Sequence, residues 1–187
     1  MDGNLIQGII MVVLLVMSAF FSATETSFSA LNRTRLKNMA EKGNKRAEAA
    51  LKLAENYDSL LSSILVGNNI VNISMASIGT VMFVNLLGSS SGPTVSTIVC
   101  TVVVLIFGEI TPKSVAKEMP ENFAMAVTPV MRVLLVVLKP INAVFSGWKK
   151  LLCRMFHFEN DRTFSQDELL TLVDEVQQEG GMNEDEG

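Results

Sequence analysis

The sequence predicts an all-α membrane protein: three transmembrane helices, interfacial juxtamembrane helices, and the start of a cytoplasmic acidic helical bundle. Three observations carry this. Hydrophobic residues make up 49% of the 187, and they fall in long blocks, the membrane pattern. Three of those blocks are almost free of charge. The charges that remain are segregated, basic between the blocks and acidic at the end.

The first block, residues 5–30, carries only Glu25. At about 1.5 Å per residue it can cross a hydrocarbon core of roughly 30 Å. A cleaved signal peptide needs a basic leader. Only Asp2 precedes this block and the first basic residue is Arg33, so the block is read as a retained span. The second block, residues 60–87, has no charge, only Ser, Asn and Thr among its apolar residues. The third, residues 93–107, is uncharged but shorter, and needs the residues after Phe107 to complete a crossing.

Arg33, Arg35, Lys37, Lys42, Lys45, Arg46 and Lys52 crowd the first connection, a basic helical loop at 32–58, whereas the second, residues 88–93, is an uncharged turn. Lys113 and Lys117 follow the third block. Basic loops stay cytoplasmic, which puts the N-terminus outside and the C-terminus in the cytoplasm. The three-span core is thus expected over 1–119. The basic loop suits membrane lipids with anionic headgroups; nucleic acid, which would want a soluble basic face, is not expected as a partner.

Residues 123–138 are apolar, but they hold Pro129 and Arg132 and end at Lys139-Pro140. An arginine at mid-membrane is costly, and another crossing would carry Lys149, Lys150 and Arg154 outside. Residues 120–157 are therefore expected as interfacial helices, with Trp148 at headgroup level. The net charge of −4 is concentrated beyond them, where residues 159–186 hold ten acids against Arg162. Ser165-Gln166-Asp167-Glu168 is a capping-box pattern before Leu169, Leu170, Leu172, Val173 and Val176, so 158–187 is expected as an acidic cytoplasmic helical segment. Cys100, Cys153 and His157 form neither a disulfide framework nor a zinc-ligand spacing.

Polar residues inside the blocks are the functional candidates. Glu109 stands at the foot of the third block, and intramembrane acids are functional suspects because burying the charge is costly. Pro112 lacks a backbone donor and biases Thr111 away from helix, so the helix is expected to loosen over 108–111 and free carbonyl oxygens beside the carboxylate. Alternatively, Glu109 pairs with Lys113 four residues on. Asn68 and Asn72 share one helix face, with Gly67 beside them; their amide oxygens suit a hard cation, or they join helices by hydrogen bonds. Ser22 and Thr26 repeat the spacing, with Ser18 one turn earlier, a pattern of close helix contact or of ligands. Glu25 has basic neighbours with which to pair.

These segments resemble three ordered signatures. Ser22-Ala23-Thr24-Glu25-Thr26 matches S-A-x-E-T, Gly67-Asn68 with Asn72 matches G-N-x-x-x-N, and Gly108 to Lys113 matches G-E-x-x-P-K. In this order they resemble the transmembrane domain of the CorC/CNNM magnesium transporters. The resemblance implies a homodimer of three-span subunits in a bacterial inner membrane, each holding Mg2+ between its helices. It implies Ser22, Asn68, Asn72, Gly108 (by its carbonyl) and Glu109 as the metal ligands. It further implies Mg2+ efflux, with Na+ as the exchanged ion. In the family an acidic bundle leads to CBS modules that bind ATP; residues 164–186 resemble its start and those modules are expected beyond this chain. The other function considered is a magnesium-binding membrane sensor or scaffold. No enzyme motif accompanies the spans, so an enzyme is not expected.

Overall fold

The computed structural model describes residues 3–140 and 147–148. Residues Met1–Ala143 form one compact unit, and the account below concerns that unit. The expected acidic segment at 158–187 lies outside the described residues, as does the 120–157 interfacial region beyond residue 140 except for the helical pair Gly147 and Trp148.

Helix α1 runs Gly3–Ala30, followed by two short helices, α2 (Arg33–Glu41) and α3 (Lys45–Glu55). Both short helices have side-chain caps: Asn32 Oδ1 accepts from the Arg35 N–H, and Asn44 Oδ1 from those of Arg46 and Ala47. Such caps occupy donors that a helix start leaves orphaned. Helix α4, Tyr57–Leu87, is the longest among the described residues at 31. After a tight turn, α5 (Gly92–Val103) passes into a π-helical segment, Val104–Ile110, and then α6 (Thr111–Glu118). Together these make one 27-residue rod, Gly92–Glu118. The short third block does complete its length through the residues after Phe107. Helix α7, Pro120–Val137, closes the unit.

Among the described residues four helical rods, not three, are long and apolar enough to cross a membrane, and α7 is the fourth. The three-span expectation set α7 aside on the strength of Pro129 and Arg132, yet the helix continues for 18 residues through both. Packing overrides the proline: Ala124, Met125, Val127 and Met131 are buried against α1 and α3. Burial of an apolar face outweighs a local backbone penalty of about 3 kcal/mol.

The buried core gathers at one end of the bundle. Phe21, Phe28, Leu36, Ala50, Leu60, Ile64 and Met131 belong to one cluster, where α1 and α4 meet the two basic helices and α7. Toward the other end the apolar side chains turn outward, among them Ile9, Val13, Val16, Ile73, Val81 and Ile98. Exposed apolar surface of this extent marks an apolar surrounding, as expected of helices that face lipid.

Candidate ion site where three rods meet

The loosening expected over 108–111 takes a different form and begins earlier. Thr111 stays helical at φ −62° and ψ −49°, and the disturbance is the π segment Val104–Ile110. The last bond in π register runs from the Thr111 N–H to the Ile106 carbonyl. The next donor would be Pro112, which has none. In π register Phe107 loses its partner, and in α register Gly108 does. The missing donor thus leaves one carbonyl beside Glu109, that of Phe107 or of Gly108, without a helical partner, and π turns are frequent at functional sites.

Gly108 is buried, and an added Cβ would stand 2.9 Å from Ser18 Oγ. The bare backbone lets the π segment approach α1 at Ser18. The same hydroxyl donates to Asn68 Oδ1 at 3.3 Å, so Ser18 is where α1, α4 and the third rod converge. The sequence places Ser18 one turn before Ser22, in a pattern of close helix contact or of ligands, and not among the expected metal ligands. Its signal was the spacing Ser18, Ser22, Thr26, which does not say which hydroxyl meets the partner helix.

Gly67 also allows a close approach, but to an apolar group: a Cβ there would run into the Phe21 ring. It brings α4 against α1 one residue from Asn68.

Among the described residues, three buried side-chain atoms lack any hydrogen-bond partner: Gln7 Oε1, Ser22 Oγ and Asn72 Oδ1. Ser22 is fully buried. Orphaned buried oxygens cost about 1–3 kcal/mol each. Two of these three belong to the residues expected as ligands. Asn68 behaves otherwise, since its oxygen already accepts from Ser18; the hydrogen-bonding alternative holds for Asn68 and leaves Asn72 unengaged.

Asn72 and Glu109 line one cavity of about 280 Å³ between α4 and the α5–π rod. Ser22, Asn68 and Gly108 do not line it; they lie on the α1 side, linked through Ser18 in the case of Asn68 and Gly108. The alternative pairing of Glu109 with Lys113 is absent: Lys113 Nζ reaches Glu25 Oε2 at 3.2 Å. That contact also supplies the basic partner anticipated for Glu25. Among the described residues no three His, Cys, Asp or Glu side chains cluster. The oxygen donors at hand are therefore one carboxylate with amides, hydroxyls and a freed carbonyl, a set for a hard cation.

The chain matches the cyclin M transmembrane N-terminal domain (CNNM) over residues 9–186. It is 36% identical over 162 residues to the UPF0053 inner membrane protein YfjD of Escherichia coli, covering 84% of this chain and 38% of that protein. With a UPF0053 protein of Haemophilus influenzae it shares 38% identity over 171 residues, 90% of this chain and 40% of the other. A chloroplastic DUF21 domain-containing protein of Arabidopsis thaliana is 30% identical over 96% of this chain and 28% of its own length. The chain spans about two fifths of the length of the two bacterial relatives.

Proposed function

The chain belongs to the CNNM transmembrane family, and on that premise we propose that it moves magnesium ions across a bacterial inner membrane. One observation carries the reading. Asn72 Oδ1 is buried without a partner, on a residue that shares a cavity with the unpaired carboxylate of Glu109. Ser22 Oγ, also orphaned, and the carbonyl of Gly108 beside Pro112 extend the donor set, with Asn68 behind them.

The chemistry suits the cargo. Magnesium prefers octahedral oxygen at about 2.0–2.1 Å and keeps several waters. One carboxylate against a divalent ion leaves the site net positive, so binding is modest and release feasible. Helices packed closely at Ser18 and Gly67 would resist the expansion that calcium needs.

Placement follows from charge. The basic helices α2 and α3 would face the cytoplasm. On this reading α7 lies along the cytoplasmic interface rather than across the bilayer, its buried face shared between charged α3 and α1. Asn44, which caps α3, donates to Met125 Sδ of α7 at 3.8 Å. Lys52 beside Glu48, together with Arg132 of α7 and Lys45, holds the Glu48 carboxyl below its ordinary range. Efflux in exchange for sodium, a homodimer, and ATP control through modules outside this chain complete the reading.

The test is flux. The purified chain is reconstituted in liposomes with an internal magnesium dye, with and without a sodium gradient, beside Glu109→Ala. Transport in the wild type and loss of both transport and magnesium binding in the variant are expected. Binding without flux under any gradient would favour the sensor; unchanged flux in Glu109→Ala would overturn the site.

A further inference from the structure

The Asn72–Glu109 cavity extends well beyond those two residues. Asn72, Ala76 and Thr80 recur every four residues along α4, and Thr97, Thr101, Leu105 and Glu109 along the opposing rod; all of them line it. Residues four apart share a helix face, so two stripes bearing oxygen atoms face each other across one groove. At about 1.5 Å per residue, the stripes extend roughly 12 Å from Asn72 and 18 Å from Glu109. Both run toward the uncharged turn that joins α4 to α5.

The hydroxyls are oriented in a way that matters for charge. Thr80 Oγ1 donates to the Ala76 carbonyl and Thr97 Oγ1 to the Pro93 carbonyl, each at 2.9 Å. With their hydrogens turned into their own helices, both present lone pairs to the groove and act as acceptors. Among the described residues no lysine or arginine lines it, and the one full charge is the Glu109 carboxylate at the inner end. A groove of acceptors with an anion at its foot favours cations and the waters they carry, and disfavours anions. A volume of about 280 Å³ holds several waters at roughly 30 Å³ each.

We propose that this groove is the outer half of the ion's route, holding a hydrated small cation between the Asn72–Glu109 site and the face that carries the α4–α5 turn. The proposal rests on the magnesium reading for its cargo but on the groove's own lining for its course. A magnesium ion leaving the site and a sodium ion arriving would meet the same acceptors.

The experiment uses thiol chemistry in the reconstituted full chain with Cys100 and Cys153 replaced by alanine. Thr97→Cys and Thr101→Cys are each exposed to membrane-impermeant methanethiosulfonates, one cationic and one anionic, from either side. Labelling from the turn side is expected, with the cationic reagent faster by about tenfold or more, the scale of electrostatic focusing in a charged cleft. Glu109→Gln should reduce that preference, and magnesium or sodium ions should slow labelling according to which of them occupies the groove. Equal rates for the two reagents, or reaction only with a lipophilic maleimide, would overturn the proposal, the latter by showing a lipid-filled groove. A second measurement reads function: Thr97→Val with Thr101→Val should slow magnesium flux while leaving equilibrium magnesium binding intact. Unchanged flux would also overturn it. Failure of magnesium binding in the parent chain would instead sink the magnesium reading, and leave the labelling result standing for another cation.

Discussion

Lys113 on α6 reaches Glu25 on α1, Nζ to Oε2 at 3.2 Å, and is thereby held off Glu109, four residues before it on its own rod. Both partners are partly exposed, with side chains 42% and 28% accessible, so the pair by itself contributes little stability. Its consequence is electrostatic: it occupies the ammonium that would otherwise compete with a cation for Glu109. Glu25→Gln should release Lys113 and weaken magnesium binding by roughly tenfold, about 1.4 kcal/mol. Adding Lys113→Met should restore the affinity. Calorimetric titration of the single and double variants checks this, and a double variant as weak as Glu25→Gln would show that Glu25 acts some other way.

Glu121 ties the start of α7 to the start of α2. Its side chain is 11% exposed, and its carboxylate accepts from the Asn32 N–H at 3.3 Å and meets Arg35 Nη1 at 3.8 Å. The backbone bond is the stronger tie, since Arg35 is 72% exposed and distant. Glu121→Ala should cost about 1.5–3 kcal/mol, the range for a hydrogen bond to a charged group, and Arg35→Ala under about 1 kcal/mol. Thermal unfolding in detergent measures both, and equal losses would contradict this ranking.

Gly67 sits where an added methyl would meet the Phe21 ring. Gly67→Ala should destabilise the α1–α4 contact by about 1–3 kcal/mol, the usual cost of overpacking. Phe21→Leu in the same chain should recover part of that loss, because it removes the atoms in the way. Unfolding temperatures of the two single variants and the double variant form the test, and independent, additive losses would rule the contact out as the cause.

The parts legible in the sequence were those written in composition and order. Uncharged blocks marked the rods, and Ser22, Asn68, Asn72 and Glu109 stood out because polar groups in apolar runs are costly. Asparagine caps on α2 and α3 went unread, although Asn32 and Asn44 precede them directly. Continuity of α7 through Pro129 was not legible, because it depends on Ala124 and Met131 finding partners on other helices. The division of labour between the two asparagines was likewise hidden: only the partner helix decides that Ser18 takes Asn68 and nothing takes Asn72. Proline signalled the disturbance near Glu109, but not that it would take the form of a π segment beginning at Val104.

That division yields the sharpest contrast between two residues of one type on one face. Asn72 keeps a buried oxygen unpaired, a cost to the folded chain, whereas the Asn68 oxygen accepts from Ser18 at 3.3 Å. Replacing a buried unsatisfied group by an apolar one of similar shape is close to neutral or stabilising, while removing one partner of a bond leaves the other unpaired. Asn72→Leu should therefore hold or raise the unfolding temperature of the magnesium-free protein and abolish magnesium binding. Asn68→Leu should lower that temperature, by about 1 kcal/mol or more of stability. Magnesium added to the wild type should raise the unfolding temperature, as any ligand specific to the folded state does, and should leave Asn72→Leu unmoved. A magnesium-dependent rise that survives in Asn72→Leu would remove Asn72 from the site.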